Sequence, residues 1–353
     1  MTDYGDIRRL LIVKMSALGD VVMTLPALTA LKESFPGMEV DWLVEPPAAG
    51  LIQGHPLLNR VIVSPRKTLG RLIKSGRLLS ARRLGSSFLR ELQAVEYDAV
   101  IDLQGLIKSA AMVRLVNARR KIGFARTREH SGWALNEKMP AYDLDRHAAL
   151  RYLDAVAYLG AEISEEAPDK YFFPSSKAVE AAGKLLPAEG YLVLNPGAKW
   201  STKRWPLPHW VALAYKLADK TDLALVVTGG PEDQEQGQAI ERAVPGRVWN
   251  FCGQTALPVL AAILEGALMT ITADTGPMHL AAAVGGGGLA LFGPTKPWRT
   301  GPFGGHFRIM APPKDCLGCL KKKCGLDCLE LLGPDEVLTN ALDYLAADGK
   351  VAS

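Results

Sequence analysis

The stretch Arg9-Leu-Leu-Ile-Val-Lys-Met-Ser-Ala-Leu-Gly-Asp-Val-Val22 joins a short apolar run to a tight turn and the start of a helical pattern. Apolar, β-branched runs alternate with longer segments of helical period along the chain, which is typical of parallel strands joined by crossover helices. The sequence therefore predicts an α/β fold. A dinucleotide fingerprint would need three glycines in this first turn, and only Gly19 is present, which argues against a nicotinamide or flavin enzyme.

The length of 353 residues exceeds what one hydrophobic core usually supports. A polar, proline-bearing stretch at residues 165–174 separates two series of strands and helices. We therefore predict two Rossmann-like domains facing across a cleft, formed by residues 1–175 and 176–334. A last helix within residues 335–353 is expected to pack back across both.

Composition excludes several classes of protein. With 48% hydrophobic and 22% charged residues, the chain is neither disordered nor collagen-like, and a net charge of +4 is too small to indicate a nucleic-acid binder. No apolar run approaches the roughly 20 residues of a membrane-spanning helix, and the first residues lack the apolar region of a signal peptide. We expect a soluble, cytosolic protein.

Asp20 lies in the turn that follows the first predicted strand. Open α/β sheets bind their ligands at this edge, so the carboxylate is a candidate catalytic group. An N-cap for a helix starting at Val21 is an equally good interpretation of the same residue.

A second turn, Ala273-Asp-Thr-Gly-Pro-Met-His279, also follows an apolar strand and starts an Ala-rich helix. The amides of Thr275 and Gly276 at a helix N-terminus would favour a phosphate or diphosphate. Asp274 suits sugar hydroxyls better, because phosphate would repel it, and His279 faces the same end one turn later. An ordinary capped turn is the alternative.

Two further loops of the second half carry candidate donor-binding groups. Lys199, Lys203 and Arg204 follow the strand that ends at Asn195, and cations there could clamp a diphosphate. The turn that ends at Asp233 could offer this carboxylate to a ribose diol, although turn chemistry alone explains its glycines.

Residues 60–90, called the basic segment below, contain nine basic residues and no Asp or Glu: Arg60, Arg66, Lys67, Arg71, Lys74, Arg77, Arg82, Arg83 and Arg90. This local concentration of positive charge should bind a polyanion. Charge alone leaves nucleic acid, an anionic membrane surface and a phosphorylated lipid headgroup open.

Four of the five cysteines form a cluster, Cys316, Cys319, Cys324 and Cys328. Four thiolates would suit zinc or an iron–sulfur cluster, although the spacing is tighter than that of ordinary zinc ribbons. Free structural cysteines are at least as consistent with this pattern.

Taken together, the motifs resemble the glycosyltransferase family 9 heptosyltransferases of lipopolysaccharide inner-core synthesis, over essentially the whole chain. The similarity is greatest to the type I members, which add the first heptose to Kdo on lipid A. The segments that carry it are Leu11-Ile-Val-Lys-Met-Ser-Ala-Leu-Gly-Asp-Val-Val, Thr24-Leu-Pro-Ala-Leu, Tyr97-Asp-Ala-Val-Ile-Asp-Leu-Gln-Gly-Leu-Ile-Lys-Ser-Ala, His147-Ala with Arg151-Tyr, Lys203-Arg-Trp-Pro with His209-Trp, Asp274-Thr-Gly with His279-Leu, and Phe292-Gly-Pro-Thr.

The resemblance implies a GT-B fold, an ADP-heptose donor and an inverting transfer that has no covalent intermediate and requires no cofactor for catalysis. Asp20 matches the general base of the family, and Lys203 matches the lysine that holds the donor phosphates. Thr275 and Gly276 match the diphosphate turn, and Asp274 matches the residue that contacts the heptose.

The resemblance also implies further binding residues. Asp233 matches an acidic ribose ligand, His279 lies in the donor turn, and Thr255 stands where type I members have an adenine-contacting methionine. On the acceptor side, the basic acceptor-binding region of the family includes Arg66, Lys67 and Arg128. The implied partners are ADP-heptose, Kdo-lipid A and an anionic membrane surface, with no nucleic acid, and the implied location is the cytoplasmic face of the inner membrane.

Three alternatives stay open at this point. The cysteine cluster recurs in type II-like members of the family, so a type II enzyme that adds a later heptose is one of them. A nucleotide-sugar epimerase of the same two-domain fold is the second, although it would have no use for the basic segment. A non-enzymatic metal module built on the cysteine cluster is the third.

Overall fold

A computed structural model of the chain describes residues 7–187, 190–313, 316–325 and 328–347. Contacts divide the chain into two units, with the division between Glu166 and Ala167. Each unit contains one six-stranded sheet in which all neighbouring strands are parallel. The predicted α/β fold with two Rossmann-like sheets is confirmed.

The first sheet has the strand order β3-β2-β1-β4-β5-β6. Its strands are β1 Arg9–Val13, β2 Glu39–Val44, β3 Arg60–Val63, β4 Tyr97–Asp102, β5 Ala118–Phe124 and β6 Glu137–Met139. The central strand β1 is apolar and buried from Leu10 to Val13, as is usual for a parallel sheet that helices cover.

Two helices of the first unit lie in the basic segment. The sequence predicts a loop followed by a single helix there. The first of these, α4, has no buried side chain, whereas α5 buries Ala81, Phe88 and Leu92. All helices of the unit are α1 Leu18–Val22, α2 Leu25–Ser34, α3 Pro46–Ile52, α4 Arg66–Lys74, α5 Leu78–Leu92, α6 Ile107–Leu115 and α7 Ala148–Ala157.

The second sheet has the order β12-β11-β10-β7-β8-β9. Its strands are β7 Tyr191–Asn195, β8 Ala224–Val227, β9 Val248–Asn250, β10 Met269–Ala273, β11 Gly287–Leu291 and β12 His306–Met310. The helices of this unit are α8 Ser176–Gly183, α9 Leu207–Lys220, α10 Gln234–Ala243, α11 Leu257–Gly266, α12 Gly276–Ala283, α13 Pro297–Thr300 and α14 Pro334–Ala347.

Helix α14 packs against α9 and β11. Its buried residues Val337, Ala341 and Leu345 belong to the same apolar cluster as Trp210 and Leu213 of α9. The C-terminal helix therefore contributes to the core of the second unit. Across the described ranges, every helix is too short or too polar to cross a lipid bilayer.

Parallel pairing decides where functional side chains can gather. In the first unit β1 lies beside β4, so the loop that begins at Lys14 meets the loop after Asp102. In the second unit β10 lies between β7 and β11, so the segments that begin at Asp274, Asn195 and Phe292 share one edge of the sheet.

Candidate active site

Asp20 lies in the first turn of α1, not at its N-cap as one interpretation of the sequence had it, because the helix already begins at Leu18. The N-cap is Ala17, whose amide donates to Asp20 Oδ2 over 3.1 Å. The other carboxylate oxygen, Oδ1, accepts a 3.1 Å hydrogen bond from the hydroxyl of Tyr152 in α7. The ammonium of Lys14 lies 3.8 Å from the same oxygen.

The Lys14 side chain is buried behind this carboxylate. Its Nζ donates to the Tyr152 hydroxyl over 2.5 Å and to the Leu103 carbonyl over 3.0 Å. Burial lowers the pKa of Lys14, and the Asp20 charge opposes that shift. Burial, reinforced by Asp20, raises the pKa of Tyr152 well above its ordinary value, so the phenol keeps its proton and donates it in a hydrogen bond. Sequence reasoning missed both residues.

A pocket opens beside Asp20 within the first unit. Its lining includes the side chains of Gln104, Arg126, Tyr142 and Arg151. The guanidinium of Arg151 stacks over the Tyr142 ring, with 4.7 Å between its carbon and the ring centroid. A pocket that places arginines around one carboxylate suits an acceptor that carries both a hydroxyl and a negative charge.

The turn that carries Asp20 is held from the neighbouring strand. Gln104 Oε1 accepts hydrogen bonds from the amides of Met15 and Ser16, over 3.1 and 2.9 Å. Asp102, at the end of β4, accepts in turn from the amides of Gln104 and Gly105. The segment around Gln104, which the resemblance included, therefore fixes the first turn.

Arg66 and Lys67 converge on one buried carboxylate. Arg66 Nη2 lies 2.9 Å and Lys67 Nζ 3.9 Å from oxygens of Glu45, and Lys108 Nζ lies 3.1 Å from it. Lys108 also donates to the hydroxyl of Ser16 in the first turn. Three cations around one anion leave a net positive site, and Lys108 is the member that sequence reasoning missed.

Glu45 stays ionised at this point of the fold. Burial disfavours its charge, but hydrogen bonds from Arg66 and Lys108 outweigh burial and hold the pKa of Glu45 below its ordinary value. The third predicted acceptor residue, Arg128, begins a short 3₁₀ segment, and its side chain lies outside the described residues.

In the second unit, Lys203 and Asp274 come together as an ion pair, with 2.6 Å between Lys203 Nζ and Asp274 Oδ2. The hydroxyl of Thr295 donates to the same oxygen. Asp274 directly follows β10, and its carboxylate is buried. The motif Phe292-Gly-Pro-Thr therefore reaches the Asp274 turn through Thr295.

The remaining residues of the Asp274 turn start α12. Thr275 is its N-cap, Gly276 is its first residue, and His279 is buried one turn later. The hydroxyl of Thr275 lies 3.5 Å from Oδ1 of Asn195 at the end of β7. The turn therefore starts a helix, with Thr275 and Gly276 at its N-terminus as the sequence predicts.

Asp233 ends a short 3₁₀ turn after β8 and is buried. Its Oδ2 accepts a 2.9 Å hydrogen bond from the Gly230 amide, and Arg204 lies 3.9 Å from Oδ1. Burial raises the pKa of Asp233. Among the described residues Oδ1 accepts no hydrogen bond, which leaves an acceptor at this strand end. Thr255 lies between β9 and α11, half-buried.

The loop that carries the four clustered cysteines, called the cysteine loop below, is hydrogen-bonded to the loops around Lys203. The Thr202 hydroxyl donates to the Lys321 carbonyl over 2.9 Å, and the Leu320 amide donates to the Pro294 carbonyl over 2.7 Å. Burial, together with neighbouring cysteines, raises the pKa of Cys328.

The predicted metal site gains no support from this loop. In the described part of the chain, no three His, Cys, Asp or Glu side chains are arranged as metal ligands. Cys316 and Cys319 are exposed, whereas Cys324 and Cys328 are half-buried.

Residues 86–330 match the model of glycosyltransferase family 9 (heptosyltransferase). The chain belongs to this family. Lipopolysaccharide heptosyltransferase 1 of Pseudomonas aeruginosa is 33% identical over 322 residues, which cover 90% of this chain and 87% of that protein. The protein of the same name from Escherichia coli (strain K12) is 29% identical, covering 92% and 100% of the two chains.

Solved structures agree with this assignment. The E. coli heptosyltransferase WaaC with ADP superposes with a TM-score of 0.77 at 29% identity, over 95% of this chain and 99% of that one. E. coli heptosyltransferase II shares the fold with a TM-score of 0.76 at 21% identity, over 97% and 99%. The sequence-based assignments to the family, to a GT-B fold and to a glycosyl-transferring enzyme are confirmed, and neither an epimerase nor a non-enzymatic metal module is favoured.

The contacts of Glu45 predict how its substitution changes the free energy of unfolding and how that change depends on pH. Glu45→Gln should lower the free energy of unfolding at pH 7 by about 1–3 kcal/mol, because three cations lose their shared anion. The folded-state pKa of Glu45 is depressed, so its contribution is present above the unfolded pKa and is lost as pH falls through the lower, folded value. The difference between wild type and variant in urea unfolding should therefore shrink below about pH 4.

Glu39→Gln is the matched control, because Glu39 and its partner Arg9 are both exposed. It should change stability by less than about 0.5 kcal/mol at any pH. Equal effects of the two substitutions at pH 7 would contradict an organising role for Glu45.

Proposed function

We propose that the protein transfers L-glycero-D-manno-heptose from ADP-heptose to the Kdo residue of Kdo-lipid A, and so adds the first heptose of the lipopolysaccharide inner core. The observation that carries the proposal is the similarity to heptosyltransferase 1 proteins over about nine-tenths of the chain. A solved structure of the E. coli relative with ADP-2-deoxy-2-fluoro heptose, 28% identical to this chain, supports an ADP-linked heptose as the donor.

Asp20 is the general base of this proposal. It takes the proton of the acceptor hydroxyl while that oxygen forms a bond to the anomeric carbon of the heptose. The bond from the same carbon to the diphosphate breaks, and ADP leaves with the negative charge. Attack opposite the leaving group inverts the anomeric centre without a covalent intermediate. The position of Asp20 in a pocket with two arginines supports this role.

The donor is held by the Asp274 turn and the loops beside it. Lys203 binds the diphosphate, since an anionic donor competes with Asp274 for its ammonium. Thr275 and Gly276 bind the diphosphate at the start of α12, with His279 behind them. Asp274 then accepts hydrogen bonds from hydroxyls of the heptose. Asp233 accepts a hydrogen bond from the ribose, which its position in the turn that follows β8 supports, and Thr255 lies toward the adenine.

The acceptor is held by cations of the first unit. Arg66, Lys67 and Arg128 bind the negative groups of the Kdo-lipid A headgroup, and we add Lys108 to this set. The support for Arg66, Lys67 and Lys108 is their convergence on Glu45, which orders them while leaving a net positive charge. Electrostatic steering of an anionic headgroup toward such a site raises the rate of encounter.

The helices α4 and α5 provide a contact with the membrane that holds the acceptor. Three apolar side chains at their junction point into solvent: Ile73, Leu78 and Leu79 are 56%, 62% and 76% exposed. The same stretch carries Arg71, Lys74, Arg77, Arg82 and Arg83. Apolar side chains between cations suit an anionic lipid surface better than nucleic acid, because they can enter the interface of a bilayer. We place the protein at the cytoplasmic face of the inner membrane.

The experiment that tests the proposed reaction is incubation of the purified protein with ADP-heptose and Kdo-lipid A, followed by measurement of ADP release and product mass. We expect release that depends on both substrates. Release only with an acceptor that already carries a heptose would assign the protein to the later, type II step. No release with either acceptor would reject heptosyl transfer.

Asp20→Asn should fold normally and lose at least ~10²-fold in kcat, because general-base catalysis typically supplies 10²–10⁴-fold. The amide keeps the size of the side chain and removes its basicity. Steady-state transfer rates and a thermal melt measure the two properties. The control is Asp169→Asn on an exposed loop, which should match wild type. Near wild-type turnover of a folded Asp20→Asn protein would remove Asp20 from the mechanism.

Lys203→Ala should weaken ADP binding by about 10–100-fold, because a charge-assisted hydrogen bond to the diphosphate is lost and the Asp274 carboxylate stays to repel the ligand. Titration calorimetry with ADP measures the effect. Lys220→Ala, at the exposed end of α9, is the control and should leave ADP affinity unchanged. Unchanged affinity in Lys203→Ala would place the diphosphate elsewhere.

The membrane contact is tested with the double variant Leu78→Asp, Leu79→Asp. We expect binding to phosphatidylglycerol-containing vesicles to fall at least ~10-fold, since two apolar side chains are lost and two negative charges are gained. Transfer to a water-soluble Kdo acceptor should be unchanged. Leu331→Asp, which changes another exposed leucine in the second unit, should bind vesicles like wild type. Equal vesicle binding by all three proteins would exclude this surface.

A further inference from the structure

We propose that Lys14 and Tyr152 are positioning residues that keep the Asp20 carboxylate ionised and fix its orientation toward the acceptor. The inference rests on the proposed role of Asp20 as general base. It assigns a function to two buried residues that bind neither donor nor acceptor in the scheme above.

The three side chains form one directed chain of hydrogen bonds. The Lys14 ammonium has only protons to give, so it donates to the Tyr152 oxygen, over 2.5 Å. The phenol in turn donates to Asp20 Oδ1, over 3.1 Å. The Ala17 amide holds the second oxygen, Oδ2, over 3.1 Å. Both carboxylate oxygens are thus fixed by donors of the protein, and a chain of this kind strengthens each of its bonds by polarisation.

Because Lys14 is buried, packing alone does not explain why a charged side chain occupies this position. The side chain is 3% exposed and Tyr152 is 6% exposed. An unbranched apolar side chain such as methionine would fill the same space without the desolvation penalty of an ammonium. The penalty is offset in part by the Asp20 carboxylate, 3.8 Å away, and by the Leu103 carbonyl, which accepts a hydrogen bond. The ammonium therefore depends on the carboxylate as much as the carboxylate depends on it.

Other charged groups of both signs surround the pair. Arg151 and Lys108 disfavour the charge of Lys14, whereas Asp102 and Asp20 favour it. Asp102 is buried and accepts hydrogen bonds from two backbone amides and from Ser109, and burial raises its pKa. Tyr142 and Arg151 face Tyr152 from the pocket side. Asp20 is the acid whose Oδ1 accepts the Tyr152 proton.

These hydrogen bonds matter for the reaction because they set the direction of the Asp20 lone pair that accepts the proton. A general base must point at the hydroxyl proton that it removes, and a small misplacement of a reacting group lowers the rate steeply. With the Tyr152 hydroxyl bound to Oδ1 and the Ala17 amide bound to Oδ2, the carboxylate cannot rotate freely, and the directions of its lone pairs are set. Lys14 and Tyr152 keep their own protons throughout, so the acceptor proton ends on Asp20.

The test compares Tyr152→Phe and Lys14→Met with wild type in heptose transfer across pH. Both should lower kcat, by about tenfold for the lost hydrogen bond, and leave the KM for ADP-heptose unchanged. In Lys14→Met the acidic limb of the kcat–pH profile should move up by about one pH unit, because a nearby cation favours the ionised base. The control Tyr158→Phe removes a hydroxyl at the far end of α7, which hydrogen-bonds Glu137, and should change neither quantity.

A second measurement needs no turnover. In protein labelled with ¹³C at lysine, NMR titration should place the pKa of Lys14 lower in Asp20→Asn than in wild type, since the carboxylate is what supports the ammonium. If wild type transfers heptose while Tyr152→Phe keeps full kcat, or Lys14→Met keeps the acidic limb, the positioning role is wrong and the proposed function stands. If wild type transfers nothing, the proposed function fails, and an unmoved Lys14 titration would overturn the pairing as well.

If Lys14→Met does not fold, Tyr152→Phe decides the orientation and the NMR titration decides the charge coupling. A loss of kcat in Tyr152→Phe together with a shifted Lys14 titration in Asp20→Asn supports the proposal. A purely structural role for Tyr152 would lower the melting temperature without a specific loss of kcat.

Discussion

The parallel pairing of β1 with β4 and of β10 with β7 is the constraint on which both sites depend. Parallel strands end at the same edge of a sheet, so every loop that follows them is delivered to that edge. Asp20 therefore meets residues that follow β4, and Asp274 meets residues that follow β7 and β11. Neither site could form from one contiguous segment, because its members are separated by up to 138 positions along the chain.

Cations and carboxylates at these edges are paired in a way that prepares them for anionic ligands. Glu45 orders Arg66 and Lys108, Asp274 orders Lys203, and Asp20 offsets the buried Lys14. A buried charge without a partner would be costly, so Lys14, Lys203 and Glu45 each lie beside a group of opposite charge. A phosphate or carboxylate of a substrate can then bind Lys203 or Arg66 with little movement of the cation, which reduces the entropic cost of binding.

The sequence predicts most of the fold because apolar strands are visible as runs. The strands β1, β7 and β11 are visible as apolar runs because they are buried almost from end to end. The edge strands β6 and β12 were missed, since most of their residues are not buried and give no apolar run. Lys14 could have been noticed as a lone cation that directly follows an apolar strand, but its partner Tyr152 is fixed only by the packing of α7.

The loop that carries the four cysteines has a structural task in the second unit. Its carbonyl at Lys321 accepts from Thr202, next to Lys203, and its amide at Leu320 donates to Pro294, next to Thr295. Lys203 and Thr295 are the two groups that hold the Asp274 carboxylate. The loop thus ties together the two segments that converge on this carboxylate, so a substitution that loosens the loop should be felt first in donor binding, through Lys203, and only later in global stability.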